Sequence, residues 1–137
     1  MKTHGLLSIL LICILVSCIN RNWPDIDGIW QLKTIESKSS PVQTVDTIYY
    51  SFQAQRLFAF TQLNGSPMQF ESTFILHGYV DFPAKDRILI HIDLSKEAYF
   101  SRLPWHSGNV SYFIQKLTRK EMILENEGGD IYRFIKF

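Results

Sequence analysis

Beyond residue 27 the chain is built from short runs in which apolar and polar residues alternate, the two-residue period of half-buried strands. Eight strands are predicted. In the first, Gly28 to Ile35, Trp30, Leu32 and Thr34 alternate with Gln31 and Lys33. A loop over Ser37–Pro41 leads to the second, Thr44 to Gln53, rich in β-branched and aromatic residues. Leu57 to Leu63 is the third, and Asn64-Gly65-Ser66-Pro67 has the chemistry of a turn. Gln69 to Phe82 and Arg87 to Leu94 follow, joined by Pro83-Ala84-Lys85. Matching their apolar faces pairs Val80 with Ile88 and Leu76 with Ile92, since a one-residue slip would turn a face outward. Ser95 to Arg102 suits a short helix, and Leu103 to Gly108 a loop. The last strands are Val110 to Leu117, Glu121 to Glu125 and Asp130 to Phe137. Thr118-Arg119-Lys120 and a turn around Gly128-Gly129 link them; the register of the final hairpin stays open.

Many short strands with hairpin-length connections imply an all-β, antiparallel sheet. Eight strands suit closure into an up-and-down barrel, which leaves no exposed edge.

The first residues follow another pattern. Lys2 precedes Gly5 to Val16, 12 residues without a charge. As a helix this run spans about 18 Å, short of the roughly 30 Å hydrocarbon core, so a signal peptide fits better than a membrane span. Leu15-Val16-Ser17-Cys18 then resembles the lipobox of bacterial lipoproteins. The resemblance implies that residues 1–17 are a cleaved signal and that Cys18 carries the lipid anchor, with residues 18–26 as a tether and 27–137 as the domain. Several acyl chains hold a protein on a membrane where one does not. Residue 19 is Ile, not Asp, which by the same resemblance points to the outer membrane of a Gram-negative envelope.

Composition agrees with one exported domain. Of 137 residues, 120 remain after the signal, and 46% of the chain is apolar, enough for a core without disulfides. The chain has 14 Lys and Arg against 13 Asp and Glu, and the signal holds only Lys2. A balanced domain argues against nucleic acid as a partner. Cys13 and Cys18 are the two cysteines; neither has metal-site spacing, and after processing only Cys18 remains.

Gly28-Ile29-Trp30 at the head of the first strand resembles the Gly-x-Trp motif of lipocalins, and the run from Tyr112 to Phe134 is similar to small bacterial lipocalin-like lipoproteins. The likeness spans Asp27 to Phe137 and implies an eight-stranded, lipocalin-like barrel. It also implies that Trp30 lies under an Arg from the last strand, for which Arg133 is the candidate. The aromatics Trp30, Tyr50, Phe52, Phe58, Phe60, Phe70, Phe74, Phe113, Tyr132 and Phe134 either line an apolar pocket or fill the interior. Trp30, Tyr50, Phe52, Phe74 and Tyr132 are the candidate ligand contacts.

Catalytic and metal chemistry find little support. In the derived register His77 faces His91, with Asp93 nearby, yet no third ligand at a strict position completes a zinc site. Ser107, His106 and Asp130 make a triad on paper only, without a nucleophile elbow or oxyanion hole. Trp105 beside His106 is better read as a loop ring packed over the barrel mouth. Glu121, Glu125 and Glu127 read as a solvated rim. The sequence thus points to a non-enzymatic, cofactor-free, membrane-tethered protein that holds a small apolar ligand or lipid. The alternative is an accessory envelope protein that presents a surface or the Leu103–Gly108 loop to a protein partner; inhibition of a secreted enzyme through that loop is a third, weaker option.

Overall fold

The computed structural model describes residues 24–64 and 72–137; the predicted signal, Cys18, most of the tether, Phe70 and the turn at 65–67 lie outside them. The strands are β1 (Gly28–Ser37), β2 (Ser40–Thr44), β3 (Ile48–Gln53), β4 (Leu57–Asn64), β5 (Ser72–Ala84), β6 (Arg87–Ile92), β7 (Asn109–Leu117), β8 (Glu121–Asn126) and β9 (Ile131–Lys136), with a 3-10 helix over Leu94–Arg102 between β6 and β7. Each barrel strand pairs antiparallel with the next, and β1 pairs with β9, so eight strands close into a barrel. The ninth, β2, is an outrigger. It pairs with the upper part of β1, from Thr34 to Ser37, whereas Gly28 to Gln31 pair with β3.

Sequence alternation located the barrel walls because one face of each strand is buried. Trp30 and Leu32, Tyr50 and Phe52, Ile88, Ile90 and Ile92, and Tyr132 and Phe134 all point inward and are nearly or fully inaccessible. β2 is a correction to the predicted Ser37–Pro41 loop. Its five residues are all exposed, so no apolar period marks it. Thr44 belongs to β2, and the second barrel strand starts at Ile48, not Thr44.

The β5–β6 register is a second correction. Val80 pairs with Ile90 and Gly78 with Ile92, two residues from the expected match. The shift is even, so the apolar faces still coincide. Its cause is in the backbone: β5 runs through Pro83 to Ala84, an irregularity between Asp81 and Ala84 absorbs the offset, and the turn is Lys85-Asp86. Proline lacks a ladder N–H and sits well at such a bulge. Gly78 is required by close approach, because a Cβ there would lie 1.9 Å from the His91 carbonyl oxygen. The final hairpin, left open by the sequence, turns over residues 127–130, with the Asp130 N–H donating to the Asn126 side chain at 2.9 Å.

The two ends of the barrel differ. The turns at 54–56, 85–86 and 118–120 share one end with the incoming segment Pro24–Asp27. There Ile26 is fully buried and its carbonyl accepts a 2.8 Å bond from Trp30 Nε1. At the other end lie the 127–130 turn and the long β6–β7 connection. Within that connection the helix is capped by Asp93, whose carboxylate accepts from the Ser95 N–H at 3.0 Å.

Candidate functional site

The mouth of the barrel is closed by the chain segment after the 3-10 helix. Leu103 is fully buried, and the Trp105 ring stands edge-on to Tyr50 (5.9 Å between centroids), Phe60 (6.0 Å) and Tyr112 (6.4 Å). This is the packing of a loop Trp over the mouth expected from the sequence. On the flank, Arg102 lies over the Phe74 ring at 4.1 Å and Tyr99 packs against the same ring at 5.4 Å.

Below this plug the interior is aromatic but not purely apolar. The Tyr50 and Tyr112 hydroxyls meet at 3.1 Å, both rings buried, and Tyr132 packs edge-on to Tyr112 at 5.2 Å. Burial pushes the Tyr50 and Tyr112 phenols well above the ordinary tyrosine range. Tyr132 is raised for the same reason, with Asp130 adding to it. All three therefore stay neutral and can both donate and accept hydrogen bonds. Among the described residues, two further polar atoms at this end are buried without a partner, Gln62 Oε1 on upper β4 and Trp105 Nε1 in the plug; Thr34 Oγ1 is also unpartnered but stands opposite Arg133, on the outer face. Gln62 pairs across β3 with Ile48 and across β5 with Phe74, which places it on the wall near the mouth.

The predicted ligand residues separate into two groups. Tyr50, Phe74 and Tyr132 lie in the half of the barrel under the plug. Trp30 and Phe52 lie in the closed half, with Phe52 against Phe58 at 5.4 Å. Phe113 faces outward beneath the Arg87 guanidinium at 4.4 Å, so it lines nothing. Arg133 is a correction. Its side chain pairs with Glu36 at 2.8 Å on the outer face, and that bond raises its pKa. Lys136 takes the place over Trp30, Nζ at 4.3 Å from the ring centre and bonded to the Asp27 carbonyl. Sequence reasoning missed Tyr112 and Gln62 as well. The alternation Val110, Tyr112, Ile114 was the signal for the first; nothing in the local pattern singles out the second.

The remaining candidates are not assembled for chemistry. His91 stands opposite Tyr79, stacked on its ring at 4.4 Å, instead of opposite His77. Its ring nitrogens meet Asn109 Oδ1 at 2.7 Å and Asp81 at 3.5 Å. His106 Nδ1 bonds the Ser101 carbonyl, while Ser107 Oγ accepts from the Asn109 N–H, so the paper triad is unlinked. Glu121 pairs with Lys116, and Glu125 accepts from Gln115. A cleft of about 660 Å³ lies outside the wall, at the closed end, between Pro24, Asp25, Lys85, Leu117 and Arg119.

Comparison with known proteins gives one family. A family model described as a lipocalin-like domain matches residues 13–137. A lipocalin-like protein of Bacteroides uniformis shares the fold, with a TM-score of 0.69 and 22% identity over 83% of this chain and 100% of that one. An uncharacterized protein of Bacteroides eggerthii also reaches a TM-score of 0.69, with 28% identity over 82% of this chain and 100% of that one. No curated protein matches the chain.

Proposed function

The chain belongs to the lipocalin-like domain family, and from that premise we propose that it is a lipid-anchored binding protein of the cell envelope, not an enzyme, that takes a small apolar molecule bearing one polar group at the mouth now closed by Trp105. The ligand is held by burial of its apolar part against Phe60, Phe74 and the Tyr50–Tyr112–Tyr132 cluster, and is oriented by the polar atoms around it. The observation that carries the reading is the pair of unpartnered buried atoms, Gln62 Oε1 and Trp105 Nε1, on the wall and plug of one aromatic chamber. An unpaired buried donor or acceptor costs about 1–3 kcal/mol, so the closed mouth is a state that a suitable polar group improves. Trp30 and Phe52 then serve as floor. Anchoring through Cys18 rests on the lipobox-like run at Leu15–Cys18, and an outer-membrane position on Ile19.

A second reading is supported by the rings themselves. Tyr50 touches Phe58, Phe60, Trp105 and Phe134, a contact set that fills the barrel centre. A permanently filled barrel is an accessory scaffold that presents its surface to an envelope protein.

Native mass spectrometry of the protein purified from its membrane distinguishes the two. A small molecule that co-purifies with the wild type, and whose occupancy changes in Trp105→Ala, is the expected result. Repeated isolation of bare protein, with no apolar probe binding in either form, leaves the scaffold. Anchoring is tested apart from binding: Cys18→Ala or globomycin is expected to block processing, and unchanged electrophoretic mobility contradicts the anchor.

A further inference from the structure

The closed end of the barrel is electrically unlike the mouth. Arg56, Lys85, Arg119 and Lys120 stand exposed on its three hairpin turns and form no ion pair among the described residues. Asp25, Asp81 and Asp86 are the exposed acids beside them, Asp81 also facing His91, while Lys116 and Glu121 neutralise each other. At the mouth the balance reverses among the described residues: Asp93, Glu97, Glu125, Glu127 and Asp130 stand against Lys38 and Arg102. Apolar rings and chains also reach solvent at the closed end. Leu57, which begins β4, is 56% exposed, and Phe137, just past β9, is 77% exposed.

The incoming chain reaches the barrel at this same end, through Pro24 and Asp27. Pro24 lies six positions after Cys18, a reach of at most about 20 Å. A lipid on Cys18 therefore holds the closed end, not the mouth, toward the bilayer.

We infer that the closed end is a membrane-docking face, in which Arg56, Lys85, Arg119 and Lys120 meet anionic phospholipid headgroups while Leu57 and Phe137 enter the interface. The inference rests on the anchor reading above, which brings this end within reach of the headgroups. Basic side chains near an anionic leaflet are attracted within about one Debye length, roughly 8 Å at physiological salt. Docking by this face leaves the mouth directed away from the lipid.

The full chain, purified from bacterial membranes, tests it in phosphatidylcholine vesicles with or without phosphatidylglycerol. Acyl chains on Cys18 keep the processed form at the bilayer, and the retained apolar run Gly5–Val16 does so for an unprocessed one. Backbone hydrogen exchange at residues 54–56, 85–86 and 118–120 is expected to slow roughly threefold or more on the anionic vesicles. Exchange at 127–130 is expected to stay unchanged, and the R119E/K120E variant to lose the slowing. Equal exchange on both vesicle types, or slowing confined to 127–130, overturns the docking face. Intact mass of the same sample reads acylation separately, so loss of the anchor reading and loss of the docking face are distinguishable.

Discussion

Lys136 on the last strand covers the Trp30 ring on the first, its Nζ 4.3 Å from the ring centre and hydrogen-bonded to the Asp27 carbonyl. One ammonium thus ties together the closed end, the incoming chain and the β1–β9 closure. Lys136→Ala is expected to cost about 0.5–2 kcal/mol through the lost cation–π contact. Arg133→Ala removes a half-exposed pair with Glu36 and is expected to cost roughly 0–1 kcal/mol. Urea unfolding of both variants checks the order; a larger loss for Arg133→Ala would return the cap of Trp30 to Arg133.

The Tyr50–Tyr112 hydroxyl pair is buried and mutual. Tyr50→Phe and Tyr112→Phe each strand the other hydroxyl, so each is expected to cost about 1–3 kcal/mol. The double variant strands neither member of the pair and is expected to cost clearly less than the sum. A double-mutant cycle by chemical denaturation measures this coupling. Additive losses would mean that the two hydroxyls do not act on each other.

Stability is expected to fall with rising pH on the alkaline side. Burial raises the folded-state pKa of Tyr50, Tyr112 and Tyr132 above the ordinary value of 10.0. Below that value both folded and unfolded chains hold these protons, and the contribution is constant. Above it the unfolded chain sheds protons that the barrel retains, so unfolding gains free energy until the folded phenols ionise. Thermal melts between pH 8 and pH 11 are predicted to show this fall, less steeply in the Tyr50→Phe/Tyr112→Phe variant. An identical slope in the two proteins would remove the assignment to these phenols.

Gly78→Ala places a methyl group 1.9 Å from the His91 carbonyl oxygen, backbone that a side-chain rotation cannot move away. The expected loss is about 1–3 kcal/mol or more. Gly108→Ala meets the Phe100 ring edge at 2.9 Å, a side chain able to shift, and is expected to cost less. Melting temperatures of the two variants decide it, and a wild-type value for Gly78→Ala would refute the close strand approach.

Much of this architecture was legible because burial writes a two-residue period into the strands. Trp30 and Leu32, and Ile88, Ile90 and Ile92, are inward as their alternation requires. The β5–β6 register was not legible, since an irregularity at Asp81–Ala84 is a backbone event that leaves the face pattern untouched. β2 was invisible because all its residues are exposed. The Arg133 assignment missed a signal that was present. Tyr132, Phe134 and Lys136 share one parity, so alternation alone puts Lys136 inside with Trp30 and Arg133 outside. At the mouth, the Trp105 plug was foreseen from the loop composition. The unpartnered Gln62 and Trp105 atoms are a property of two distant segments and have no local signature.

The seam between β1 and β9 joins Trp30 to Lys136 and Glu36 to Ile131. No cylinder exists until the ninth strand has been made, and closure depends on contacts of very long sequence separation. Such topologies acquire their native contacts late and fold slowly. The order of strands around this ring therefore delays its closure, though not its hairpins, until β9 is available.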